Sequence, residues 1–151
     1  SLGLVGSEMC IRDRLVDADT AAFNAIMEAY GMPKGTEAQQ QSRHAAILDA
    51  TKNAIEIPMR VARLAADAMT IAEEMAATGN PNSITDAGVG AMTIRTGVKG
   101  AILNARVNLQ DLEDATYSAA VVAEADALWA DIDAREARVL ERVAAVLGGA
   151  A

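Results

Sequence analysis

An all-α fold, an antiparallel bundle of about four long helices, is what the 151-residue sequence predicts. Three observations carry that expectation. Apolar residues recur at the three-and-four spacing of a helix face, and no stretch shows the two-residue alternation of a half-buried strand. Glycine and proline gather at only a few places, which cut the chain into long pieces. Aromatic residues are 3% of the chain while hydrophobic residues are 52%, so the core must be built from Ala, Leu, Ile, Val and Met packed at short distances.

The first helix is expected over residues 15–30, ending at "GMPKG", where Gly31, Pro33 and Gly35 make continuation costly. The second is expected over 37–77, with Pro58 removing a backbone donor and kinking it. Gly79 and Pro81 end it. The third covers 83–109 and the fourth 113–147, before the terminal "GGAA". Short connections make sequence neighbours antiparallel.

Residues 1–13 are set apart as a foreign or disordered tail, leaving 14–151 as the helical domain. "LVGSEMCIRD" reads like a translated sequencing adaptor, and Gly3 and Gly6 are expected to interrupt any helix there. The segment lacks a basic n-region and a small-residue cleavage site, so it does not read as a signal peptide. It contains Cys10, the only cysteine, so disulfide frameworks and Cys-ligated metals are not expected. A reducing, cytoplasmic compartment follows as the default. A net charge of −8 argues against duplex nucleic acid as a partner. No apolar run reaches the roughly 18 residues that would suggest a membrane span. His44, the single histidine, reads as a surface helix residue.

Three local features call for explanation. In "TGNPNSITDAGVGAM", Ser83 followed by Asp86 resembles a capping box, and Asp86 suits the positive end of a helix. Capping does not explain the glycines. Asp86, Gly90, Thr93, Gly97, Gly100, Asn104 and Asn108 fall along one stripe of the third helix. An interior helical glycine costs up to about 1 kcal/mol relative to alanine, so the stripe implies a close approach, either by another helix or by a flat ligand held by Asp86, Asn104 and Asn108. In the first helix, Leu15, Val16, Phe23, Ile26, Met27 and Tyr30 define an apolar face near whose middle Asp19 projects, while Asp17 points away. Burial would raise the Asp19 pKa and suit it to proton transfer, or it is a structural acid paired with a cation. Arg95, Lys99 and Arg106 share a face of the third helix, either as a solvated stripe or as an attractor for an anionic tail.

Four segments in order, "LVDADTAAFNAIMEAYGMPKGT", "ATKNAIEIPMRVARLA", "GNPNSITDAGVGA" and "KGAILNARVNLQDLED", resemble the cyclodeaminase/cyclohydrolase domain of the formiminotransferase-cyclodeaminase family. The resemblance implies a dimer-forming helical bundle acting on one-carbon derivatives of tetrahydrofolate, with no cofactor beyond the folate substrate. Two chemistries go with it: closure of 5-formiminotetrahydrofolate to 5,10-methenyltetrahydrofolate with loss of ammonia, and opening of the methenyl bridge by water. It implies a catalytic role for the second acid of "VDAD", which is Asp19. It also implies a pterin-side wall with Asn82, Ser83 and Asp86, an Asn104/Asn108 pair matching an N-x-x-x-N spacing that serves either the substrate or interhelical hydrogen bonds, and Arg95, Lys99 and Arg106 as candidates for the glutamate tail.

The family's opening helix, its Pro-Gly-Gly-Gly-Ser loop and its small-residue helix have no counterpart ahead of "VDAD". The expectation is therefore a truncated domain, inactive by itself and exposing apolar surface. The alternative from another functional class is a non-catalytic helical module for interaction or assembly, with Asp19 in a buried ion pair.

Overall fold

In a computed structural model the chain forms α1 (Leu2–Gly31), α2 (Glu37–Thr78), α3 (Ile84–Leu109) and α4 (Ala115–Val146), with a 3-10 turn at Pro81–Ser83. The structure describes residues 2–148, with side chains described over 14–148. No strand occurs among the described residues.

The breakers act where the sequence places them, with one exception. α1 begins at Leu2 rather than near residue 15. Gly3 and Gly6 do not stop it, because an interior glycine biases a helix by about 1 kcal/mol and does not block it. The expectation that residues 1–13 pack against nothing concerns side chains outside the described residues.

Caps fix the other starts. Thr36 and Gln39 form a reciprocal capping box at α2, with Gln39 N–H donating to Thr36 Oγ1 (3.3 Å) and Thr36 N–H to Gln39 Oε1 (3.1 Å). At the entry to α3 the cap is Asn80 rather than Ser83. Its side-chain oxygen accepts from Asn82 N–H at 3.0 Å, and Pro81 follows at a position whose missing N–H costs nothing. Asp114 Oδ1 accepts from Tyr117 N–H at 3.0 Å and starts α4.

Two compact units share these helices. One takes in the chain up to Pro58 together with Asn104–Ala119; the other takes in Met59–Leu103 with the chain from Ala120 on. α2 passes through Pro58 as one helix, and the division between units falls at that proline.

In the first unit, α1 packs antiparallel to the start of α2. Ala22 meets Ala54 and Ile57, with Ala18 and Ile26 against them. At the other end, Arg43 donates to Tyr30 O (3.2 Å) and lies over its ring. Lys52 pairs with Asp114 at 2.7 Å.

In the second unit, α3 and α4 run antiparallel: Gly88 lies by Leu140 and Val143, and Arg95 and Lys99 lie by Asp133. α2 and α4 run parallel, with Arg63 bonded to Glu124 and Glu73 to Arg135 and Arg138. Met59, Met69, Val98, Ile102, Ile132 and Val139 are the large, almost wholly buried side chains of this unit. Many alanines fill the spaces between helices, which is how a chain so poor in aromatic rings closes a core.

Candidate functional site

Asp19 is exposed, and so is Asp17. The expectation that Asp19 points into the core is therefore corrected. The buried stripe of α1 is made of small residues, with Ala22 and Ala29 buried and Leu15, Ala18, Ala25 and Ile26 half-buried. The larger residues face outward: Val16 is 68% exposed, Phe23 63%, Met27 57% and Tyr30 50%. Asp19 thus sits among exposed apolar side chains, one turn from Val16 on one side and from Phe23 on the other. A carboxylate there is open to water until something covers the stripe.

In the second unit the turn before α3 leaves Asn82 exposed, Ser83 half-buried and Asp86 exposed, while Ile84 and Ala87 anchor the helix in the core. The glycines divide into two kinds. A Cβ added at Gly88 would lie 3.1 Å from Val143 Cγ2, so this residue admits the close approach of α4. At Gly90, Gly97 and Gly100 an added Cβ meets nothing within 4 Å. The helix-packing explanation accounts for Gly88, whereas an added Cβ at the other three would enter open space among the described residues.

The basic residues of α3 are engaged inward. Lys99 Nζ is 2.6 Å from Asp133 and lies 4.3 Å from the centre of the Trp129 ring. Arg95 pairs with Asp133 and, at 2.9 Å, with Glu136. Lys99 first, and Arg95 after it, hold the Asp133 carboxyl below the usual carboxylate range. Neither a solvated stripe nor a free anion attractor describes Arg95 and Lys99, since α4 supplies their counter-charges. Arg106 is half-buried. Along α3, Lys99 is also about 20 Å from Asp86 at 1.5 Å per residue, so the two do not share a small site.

Asn104 is exposed, and Asn108 is half-buried and donates to Ala54 O at 2.9 Å, an interhelical bond within the first unit. His44 is on the surface as expected, 4.0 Å from Glu113. It borders a cleft of about 220 Å³ that Tyr30, Arg43, Thr51, Asp111 and Glu113 also line. None of the residues singled out as catalytic or substrate-binding lines it. The sequence carried no signal for this cleft, which arises from residues far apart along the chain. No group of three or more His, Cys, Asp or Glu side chains gathers to hold a metal among the described residues. No helix of the described residues is long and apolar enough to cross a membrane.

The profile of the formiminotransferase-cyclodeaminase family matches residues 11–127. A methenyltetrahydrofolate cyclohydrolase of Methylorubrum extorquens is 35% identical over 129 residues, 85% of this chain and 62% of that protein. A formimidoyltransferase-cyclodeaminase of Sus scrofa is 34% identical over 131 residues, 87% of this chain and 24% of that protein. The crystal structure of a formiminotetrahydrofolate cyclodeaminase from Thermotoga maritima superposes with a TM-score of 0.74 at 25% identity, over 89% of this chain and 63% of that one. The chain therefore spans less than two thirds of the length of each of these proteins. On the match over residues 11–127 and these identities, the chain belongs to the formiminotransferase-cyclodeaminase family.

Proposed function

We propose that the chain is part of a folate one-carbon enzyme, a formimidoyltetrahydrofolate cyclodeaminase or a methenyltetrahydrofolate cyclohydrolase. The observation that carries this reading is the family match over residues 11–127, with relatives of 34–35% identity named for each of the two chemistries. Both reactions pass through a tetrahedral carbon between N5 and N10 and need a group to move a proton beside it. Asp19 is that group in this reading. It accepts the proton from N10 during ring closure or from the attacking water during bridge opening. Asn82, Ser83 and Asp86 offer donors and acceptors to the pterin edge, and Asn104 is a further exposed amide. Lys99 and Asn108 keep the structural contacts described above. The reading includes a homodimer or larger homo-oligomer, no cofactor other than the folate, no nucleic acid, and a cytoplasmic setting.

The exposure of Asp19 supports the expectation that these 151 residues alone turn over neither substrate. A proton-transfer carboxylate works in a site that excludes bulk water, and the stripe around Asp19 is exposed among the described residues. That exposure also removes the buried ion pair from the second reading, a non-catalytic assembly module, which is supported instead by the internal bonding of Arg95, Lys99 and Asn108.

The test is to assay formimino- and methenyl-tetrahydrofolate with the 151-residue chain and with a form extended to the relatives' domain length. The enzyme reading expects one of the two substrates to be consumed by the extended form and neither by the chain alone. Strong turnover by the chain alone would overturn the expected inactivity. No turnover by a folded extended form would favour the assembly module.

A further inference from the structure

The cleft of about 220 Å³ lies wholly within the first unit, lined by the last turn of α1, the first half of α2 and the link from α3 to α4. The folate reading makes no use of it. Ile47, Leu48 and Leu112 give it apolar walls, and Asp111 and Glu113 stand exposed at its mouth. Thr51, only 6% exposed, is the one buried residue of its lining among the described residues and forms its floor.

The Thr51 hydroxyl has no use inside the chain. Thr20, Thr78, Thr93 and Thr96 each donate to the carbonyl one turn back in their own helix. Thr51 Oγ1 has neither that bond nor another hydrogen-bond partner among the described residues. No side-chain nitrogen or oxygen shut off from solvent lacks a partner among them. The Thr51 oxygen is therefore not shut off, and the space it opens onto is the cleft it lines. An unbonded hydroxyl at that depth is a cost that valine would avoid, unless what fills the cleft bonds it.

Charge decides the class of ligand. With His44 neutral, the lining carries one cation and two carboxylates. The cation is already engaged, because Arg43 donates to Tyr30 O from both Nε and Nη2 (3.4 and 3.2 Å). Glu113 has His44 at 4.0 Å, and Asp111 has no ion pair among the described residues. α1 ends at Gly31, beside Tyr30, and α3 ends at Leu109, just before Asp111, so the partial negative charge of two helix ends adds to that of the carboxylates.

We propose that this cleft binds a small primary ammonium compound, its ammonium held by Asp111 and Glu113, its short apolar body against Ile47, Leu48 and Leu112, and a hydrogen-bonding group at its far end on Thr51 Oγ1. The volume is below the roughly 300–1,000 Å³ of sites for drug-sized ligands, so the occupant is of amino-alcohol size and is not a folate. The proposal is independent of the folate reading.

Titration of the isotope-labelled 151-residue chain with 4-aminobutanol, followed by amide NMR, tests this, with 1,4-butanediol and 4-hydroxybutyrate as neutral and anionic counterparts. Saturable shifts are expected at Ile47, Leu48, Thr51 and Leu112 with a Kd of about 1 mM, the scale open to so few atoms. The two counterparts should bind about 10-fold more weakly or worse, and so should 4-aminobutanol to a chain carrying Asp111→Asn with Glu113→Gln. Thr51→Val should weaken binding about 3-fold or more while leaving the thermal melt unchanged or raised, because the hydroxyl it removes has no bond within the chain. Glu141→Gln, at an exposed acid of the second unit, should leave the affinity unchanged. Absence of a saturable shift by about 20 mM overturns the proposal. So does an equal response to the three probes, or an affinity indifferent to both Thr51→Val and the paired acid substitutions in chains with a native melt.

Discussion

α1 and α3 distribute charge and bulk in opposite ways. In α1 the small alanines face inward and the large apolar residues face outward, with Asp19 among them. In α3 the cations Arg95 and Lys99 face inward, where Asp133 and Glu136 of α4 neutralise them, and the exposed residues from Val89 to Val107 are uncharged. A cation can turn inward when the neighbouring helix brings an acid to it at hydrogen-bond distance. Asp19 has no ion pair of that kind among the described residues and is exposed. Which side of a helix is the inside was thus decided by the neighbour's side chains and not by the hydrophobicity of the helix itself.

The largest effect should come from Ile102→Ala on the inner side of α3. Ile102 is wholly buried, and its truncation should cost about 2–5 kcal/mol in a chemical denaturation curve. Phe23→Ala on the outer side of α1 should change stability by about 0.5 kcal/mol or less, since the residue is 63% exposed. An equal loss at Phe23 would mean that the outer stripe of α1 is buried in solution.

Next comes the ion network of the second unit. Arg135 bonds Glu73, Ala66 O and Thr70 with its side chain only 15% exposed. Arg135→Ala should cost about 1–3 kcal/mol by leaving Glu73 with the exposed Arg138 alone. Glu73 also gives the network a pH signature. Hydrogen bonding from Arg135 lowers its pKa below the ordinary value, so its stabilisation is fully present above that value and is lost as pH falls through the depressed one. Asp133 and Glu124 are depressed for the same kind of reason, by Lys99 and Arg63 respectively, and contribute with the same sign. Stability should fall on acidification below about pH 4.5, and Glu73→Gln should be less stable at neutral pH with a shallower fall. A Glu73→Gln curve parallel to the wild-type one throughout would show that this carboxylate adds nothing to the acid transition.

The smallest effects separate the glycines of α3. Gly97→Ala enters open space and should stabilise by up to about 1 kcal/mol. Gly88→Ala gains the same helix propensity but sets a methyl 3.1 Å from Val143, so it should be neutral or destabilising. Equal stabilisation at both sites would mean that α3 and α4 are not so closely packed there.

Helix number and most boundaries were legible because Gly31, Gly79 and the prolines after them end helices through backbone chemistry alone, and because no strand pattern competes. The family was legible in the order of four segments, from "LVDADTAAFNAIMEAYGMPKGT" through "ATKNAIEIPMRVARLA" and "GNPNSITDAGVGA" to "KGAILNARVNLQDLED", and in no one of them alone. The inner face of α1 was not. Ranking residues by hydrophobic bulk selects Phe23 and Met27, whereas close helix packing places Ala22 and Ala29 inside. The cap at Asn80 was missed because Ser83 and Asp86 offered the more familiar pattern. The partners of Arg95 and Lys99 lie more than 30 residues away on α4, which one helix's periodicity does not reveal.

The most direct measurement on the central claim is the turnover of Asp19→Asn, beside Asp17→Asn, in a form of the protein that consumes one of the two folate substrates. Asparagine keeps the shape of aspartate and removes the proton acceptor. The account predicts a fall in kcat of about 10²-fold or more at Asp19, with folding and folate binding nearly intact, and little change at Asp17. An Asp19→Asn enzyme with undiminished activity per folded molecule would contradict it.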